Sequence, residues 1–516
     1  MFIRILIKNM IESRLQKSIR NVTVIVASKL LLMLLTFTVR TLLIKYLGVE
    51  ILGLDGLFSS VVTAISIADL GLGSAVVYSL YKPIAQKDEK TIAAYISFFN
   101  KVYSIIGCII IAIGVLTIPF LKYLINLDTT VNNIEIIYIL TILSTALTYF
   151  FSSRRIMYEA DQNSYKITTV DFVFNVGLQV AQILIILLFK EYIVVLIIRA
   201  VFALFNNIAI YLRGNAQYRY LTKYKREKLE RDSIVSLWKN TGAIMCHKVG
   251  GVLVSGVDSI IISAFIGTLF SGYYSNYLLV ITSVTTFITL GLNALIPSVG
   301  NLKATTKSTE HHYRVFKEVL LTNYFMSTFA GVMLYVELDN FINVWVGSKF
   351  LLEKEVVILL CVNFYISTMR FGGGAFNTAA GYFKQTLIKP IAEGIINLAV
   401  SLVLVQHIGM LGVFLGTTIS LILGSVWVDP YVLYKNWFRK SSLEYFGQYA
   451  VMFAFTFGIG TIMHFAGSLY MPQNFIELVI HALVSTFACI ILVLLSTLVL
   501  PGRRDLLQRV KTVLSH

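Results

Sequence analysis

Two lysines at matched places in the chain carry the first chemical signal. Lys29 stands inside RNVTVIVASKLLLMLLTFTVRTLLIKYLGVEILG, residues 20–53, and Lys248 inside KNTGAIMCHKVGGVLVSGVDSIIISAFIGTLFSG, residues 239–272. At an offset of 219 residues Arg20-Asn21 falls on Lys239-Asn240, Lys29 on Lys248, Gly48 on Gly267 and Gly53 on Gly272. Both stretches are apolar enough to cross a bilayer, where a charged side chain near the centre costs on the order of 2.5–3.5 kcal/mol. Arg40 lies eleven residues after Lys29, about three helical turns, and so shares its face. Arg199 and Arg370 add two cations to later apolar runs. Ammonium and guanidinium groups held at such cost suit an anionic headgroup such as a diphosphate.

The acids are fewer. Asp55, Asp69, Asp258 and Asp429 sit within apolar runs, and Asp258 falls at Arg40's depth in the second copy of the repeat. This predicts that Arg40 and Asp258 meet as an outer gate, with Asp69 and Asp55 serving gating or ion coupling. Charge reversal at either partner should impair transport, and the double swap should restore it. Each residue also has a plainer reading. A lysine two turns from the membrane surface can snorkel to the headgroups, Arg199 can belong to a structural pair, and Asp69 can cap a glycine-rich helix end. Asp171 and Asn175, four apart, are matched by Glu393 and Asn397 at offset 222, a face expected to point to protein or water. Tyr273, Tyr274, Asn276, Tyr277, Asn293, Asn363, Tyr365 and Asn377 are candidates for sugar contact or for interhelical bonding.

No phosphate loop, GxSxG, HExxH or paired His/Cys set occurs, so no catalytic residue, metal or cofactor is expected. His311-His312 reads as a solvent-facing loop, and the four cysteines as small core residues.

Positioning these charges requires a polytopic bundle. The chain has 516 residues, 57% of them hydrophobic and 14% charged. The mean hydropathy is +0.78. Soluble proteins carry about 25% charged residues, and repeated apolar runs of 18 or more argue for transmembrane helices. The reading is an all-α membrane protein of about fourteen spans, two parallel six-helix repeats plus two C-terminal helices. Its segments are a basic interfacial N-terminus (1–20), an N-lobe (21–212), a basic linker (213–239), a C-lobe (240–436), two further spans (437–500) and an amphipathic tail (501–516). About 32 of the 43 basic residues fall in alternate connections, which places both termini in the cytoplasm. The net charge of +16 thus reflects topology and not a nucleic-acid partner. Two parallel repeats around a cleft suit alternating access.

Arg40 followed by Gly48-x4-Gly53, the Asp69-Leu-Gly-Leu-Gly73 close of the second span ahead of a basic loop, and the two-half plan resemble the polysaccharide-unit flippases (O-antigen, capsule and teichoic-acid exporters) of the multidrug/oligosaccharidyl-lipid/polysaccharide (MOP) exporter superfamily. That resemblance implies two six-helix lobes in a V, a cationic cavity, and outward flipping of an undecaprenyl-diphosphate-linked oligosaccharide across the bacterial plasma membrane. It implies membrane lipids, a polysaccharide polymerase and glycosyltransferases as partners. Peptidoglycan lipid flippases of the superfamily use several arginines in the first lobe, whereas here Arg40, with Lys29, fits that pattern. The alternatives are a multidrug/cation antiporter of the same fold, a membrane polysaccharide polymerase, and a scaffold subunit. The antiporter calls for an acidic or apolar cavity, and the polymerase for a large outer loop. The largest outer loop, 337–355, is short.

Overall fold

The computed structural model describes residues 26–66, 72–125, 131–235, 237–238, 245, 249–251, 256–501 and 503. Lys248, Asp69, Cys246, the segment 1–20 and the tail from 504 lie outside the described residues. Every regular element among the described residues is helical, as hydrocarbon demands of a backbone that must satisfy its own hydrogen bonds. In chain order these are α1 (Val26–Leu47), α2 (Val49–Ile65), α3 (Leu72–Gln86), α4 (Glu89–Thr117), α5 (Ile134–Tyr149), α6 (Ser153–Ala160), α7 (Ser164–Phe189) and α8 (Tyr192–Gln217). They continue with α9 (Val257–Phe265), α10 (Thr268–Asn293), α11 (Thr309–Val346), α12 (Lys354–Ala380), α13 (Ile388–Gly424), α14 (Leu443–Gly467) and α15 (Phe475–Val499). Short helical turns lie between some of them.

Among the described residues ten helical segments are long and apolar enough to cross a membrane, eleven if α5 and α6, bent by 50°, form one broken span. The chain is a multi-pass membrane protein. One of the ten, the 51-residue run Ile388–Phe438, is too long for a single crossing. It folds back within α13, where Ile408 and Gly409 leave helical geometry and Gly409 takes φ 58°. The two arms then run antiparallel. A Cβ at Gly412 would meet the Leu404 carbonyl carbon at 2.4 Å, and one at Gly424 would meet Glu393 Cα at 2.8 Å. Glycine on the second arm lets the arms approach closely, as small residues do between membrane helices.

By contacts the chain forms two compact units. Unit 1 comprises 1–51, 76–115 and 132–230; unit 2 comprises 52–75, 116–131 and 231–516. The basic connection is therefore divided. Its first part docks on unit 1, where Tyr218 donates to Asp161 at 2.8 Å and Ser97 donates to the Lys225 carbonyl at 3.0 Å. Within unit 2, α11 is the central helix, touching α10, α12, α14 and α15.

The matched glycines of the repeat have matched roles. Gly48 (φ 88°) turns α1 into α2, and Gly267 (φ 137°) turns α9 into α10, conformations that favour glycine. Within unit 2, Gly53 meets its own counterpart. A Cβ there would lie 2.0 Å from the Thr268 carbonyl oxygen and 3.1 Å from Gly272 N. One turn on, a Cβ at Gly56 would lie 4.0 Å from Ser275 Cβ, again a pair 219 apart.

Gly53→Ala should destabilise the protein by about 1–3 kcal/mol, because rigid backbone must move aside. Gly374→Ala, with nothing within 4 Å, should be neutral or stabilising through helix propensity. Thermal unfolding in one detergent compares the two directly.

Candidate functional site

The polar interior of unit 2 is built on one face of the first arm of α13. Lys389, Glu393, Asn397 and Ser401 recur every four residues and so stack along a single stripe. Glu393 is 5% exposed, and Asn397 and Ser401 are fully buried, while Ile395 and Val403 on the other side are 58% exposed. The arm is thus amphipathic in reverse, with its polar face turned to protein.

Each charge on the stripe finds a partner from a neighbouring helix. Arg370 on α12 donates to Glu393 at 3.2 Å. Lys389 pairs with Asp429, just beyond the second arm. Asp429 also accepts from Asn377 Nδ2 at 3.0 Å. The glycines after Arg370 make room for side chains. Gly372 faces the Asn323 amide, and Gly373 lies 3.5 Å (from an ideal Cβ) from Asp429 Cβ. Arg370 is therefore a neutralised cation. Its Nε, and Asn377 Oδ1, are buried without a hydrogen-bond partner among the described residues.

Further along the stripe the chemistry changes from paired to unpaired. Asn397 Nδ2 donates to Thr417 Oγ1 at 2.9 Å, and Thr417 in turn faces the carboxylate of Asp258 on α9. Asp258 is 6% exposed. Its Oδ1 and the Oδ1 of Asn397 have no partner among the described residues. Ser401 Oγ and Thr417 Oγ1 both bond the Val413 carbonyl. Carboxylate, amide and hydroxyl oxygens converging in a buried place are a donor set for a proton or a hard cation.

Unit 1 holds a partial counterpart. Arg155 on α6 grips Asp171 on α7 with two bonds of 2.7 and 2.9 Å, and Asn206 on α8 adds a third at 2.9 Å. An arginine thus meets an acid across α6 and α7 in one unit and across α12 and α13 in the other. Asn175 returns its amide to the Asp171 carbonyl and takes no part. Lys29 lies exposed on α1, whereas Arg40 on α1 and Arg199 on α8 are half-buried in unit 1. Asp55 on α2 is half-buried in unit 2.

Sequence reasoning missed the role of Lys389 and gave Asp429 no partner. The four-residue spacing with Glu393 and Asn397 was the available signal. Several polar side chains prove to bind neighbouring helices. Tyr277 donates to Asp339 at 2.7 Å, and Asn363 bonds the Phe414 carbonyl and accepts from Thr418. His312 is buried and not solvent-facing, accepting from Trp437 at 3.0 Å. Cys361 and Cys489 are buried, but Cys108 is exposed.

No family model matches the chain, and comparison with curated proteins finds no match. Solved structures do match. The lipid II flippase MurJ in an inward closed conformation is 14% identical, with TM-score 0.67 over 94% of this chain and all (100%) of that one. An inward-facing multidrug resistance MATE transporter of the MOP superfamily is 13% identical, with TM-score 0.60 over 78% of this chain and 94% of that one. A variant of the Vibrio cholerae MATE transporter VcmN is 13% identical, with TM-score 0.53 over 80% and 98%. The chain has the fold these transporters share.

The Arg370–Glu393 pair makes a quantitative prediction. Arg370→Gln or Glu393→Gln alone should cost about 3–5 kcal/mol by stranding a buried charge, and the double variant should recover most of it. Denaturant or thermal melts of the four proteins read out the coupling.

Proposed function

We propose that the protein is a flippase. It carries a polyprenyl-diphosphate-linked oligosaccharide repeat unit from the inner to the outer leaflet of a bacterial plasma membrane, by alternating access, for surface polysaccharide synthesis. Both termini lie in the cytoplasm. The observation that carries this reading is the extent of the fold match. The lipid II flippase structure corresponds over 94% of the chain, against 78% and 80% for the MATE structures, which are matched almost end to end. A lipid-linked substrate accords with the cations of unit 1. Arg40, Arg199 and Lys29 take the diphosphate, Arg40 and Arg199 by bidentate hydrogen bonding. Arg370 acts instead through Glu393, as a positioning residue.

Energy comes from a monovalent cation, a proton or sodium, taken up at Asp258 with Asn397 and Thr417. Asp55 and Asp69 assist in gating. No nucleotide site is needed, because the ion gradient drives the conformational cycle. The polymerase and glycosyltransferases that consume and supply the repeat unit are the expected functional partners.

Deletion in the native host should abolish surface polymer and trap lipid-linked repeat units on the inner leaflet. Unchanged polymer with altered drug sensitivity would instead identify a multidrug antiporter. In proteoliposomes, Arg40→Gln should slow flipping by about 10-fold or more, consistent with loss of a charge-assisted bond worth about 1.5–3 kcal/mol. Asp258→Asn should abolish the stimulation of flipping by an imposed ion gradient while leaving the protein folded.

A further inference from the structure

We propose that a file of water runs through the interior of unit 2 along the Lys389–Glu393–Asn397–Ser401 stripe, joining Asp258 to the membrane face at the 381–387 turn. The inference rests on the reading of Asp258 as an ion site and adds the route by which that site is supplied. Three observations carry it.

The polar contacts are continuous. Asp258 faces Thr417, Thr417 accepts from Asn397, Asn397 lies one turn from Glu393, and Glu393 binds Arg370. Lys389, one turn nearer the turn at 381–387, closes the series on Asp429. From Lys389 to Ser401 the stripe spans roughly 18 Å at 1.5 Å per residue, more than half of a hydrocarbon core of about 30 Å. The stripe stops abruptly, since the next residue on that face is Val405, 5% exposed and apolar.

The series is also unsatisfied at intervals. Asp258 Oδ1, Asn397 Oδ1, Arg370 Nε and Asn377 Oδ1 are buried and lack partners among the described residues. Buried polar atoms left this way cost about 1–3 kcal/mol each unless water reaches them. Interior water is found where several polar groups can hold it. Four such atoms, one on the stripe and three on the helices packed against it, mark places for water, whereas an apolar interior would stay dry.

Finally, the two ion pairs are placed at the end nearest the turn. Arg370–Glu393 and Lys389–Asp429 together carry no net charge, so they hydrate the entrance without holding an ion there. The unpaired acid lies deeper. An ion entering from the 381–387 face therefore meets neutral, hydrated groups first and its binding carboxylate last.

Silver ion is a probe small enough for a single file, and it reacts with thiolate, which forms readily in water and is suppressed in apolar surroundings. Ser401→Cys and Asn397→Cys are made in the full-length chain and exposed to Ag+ in vesicles of both orientations. Modification is counted by mass spectrometry. Native Cys361 and Cys489, both buried, serve as dry references. Both introduced thiols should react about tenfold or more faster than these references when Ag+ is applied from the 381–387 face, and slowly from the opposite face. Rates equal to the references from both sides, or fast reaction from the opposite face alone, would overturn the route. Should Asn397→Cys fail to fold, Ser401→Cys, which changes one atom, decides the matter. The ion site is judged separately by the gradient response of Asp258→Asn, so a dry stripe with an intact gradient response rejects the path alone.

Discussion

Unit 2 depends on the neutralisation of charge inside a membrane. Arg370, Glu393, Lys389 and Asp429 come from three helical segments, and any one of them alone would be too costly to bury. Together they form two pairs, one tying α12 to the first arm of the α13 hairpin and the other tying that arm to the segment just beyond the second arm. The surrounding backbone accommodates that arrangement. Gly424 lets the second arm lie against Glu393, and Gly373 admits the Asp429 side chain. A larger residue at either place would push the acids away from their cations, so packing and electrostatics here are a single constraint.

Much of this was written plainly in the sequence. The apolar runs and their glycine breaks marked the helices. The offset of 219 marked Gly48 with Gly267, and both prove to turn one helix into the next. The partners of the charges were not legible in the same way. Helical spacing shows which face a residue occupies but not which neighbouring helix covers it. Lys389 illustrates the difficulty: a lysine at the start of a span obeys the same statistics whether it faces headgroups or a buried aspartate. Tyr277 and Asn363 show the other side of it. Their side chains could have met sugar, and only the positions of Asp339 and Phe414 reveal that they hold helices together.

The two units solve the same problem to different degrees. Arg155 and Asp171 in unit 1 remain partly open, with side chains 26% and 30% exposed, whereas Arg370 and Glu393 are 18% and 6% exposed. Screening by solvent weakens the first pair as an energetic element, and the second, more deeply buried, is screened less. Both units thus pair an arginine with an acid on the next helix, in surroundings that differ.

The contact between Gly53 and Gly272 bears on the ancestry of the chain. In a symmetric dimer a residue on the twofold axis faces its own copy, so one substitution alters both sides of the contact at once. Fusion of two such copies into one chain separates those positions in heredity. Gly53 and Gly272 have stayed alike where the backbones nearly touch, while one turn away Gly56 and Ser275 have become different residues. The crossing of α2 and α10 thus sets repeat-matched residues against one another, glycine with glycine where no side chain fits and glycine with serine where one does.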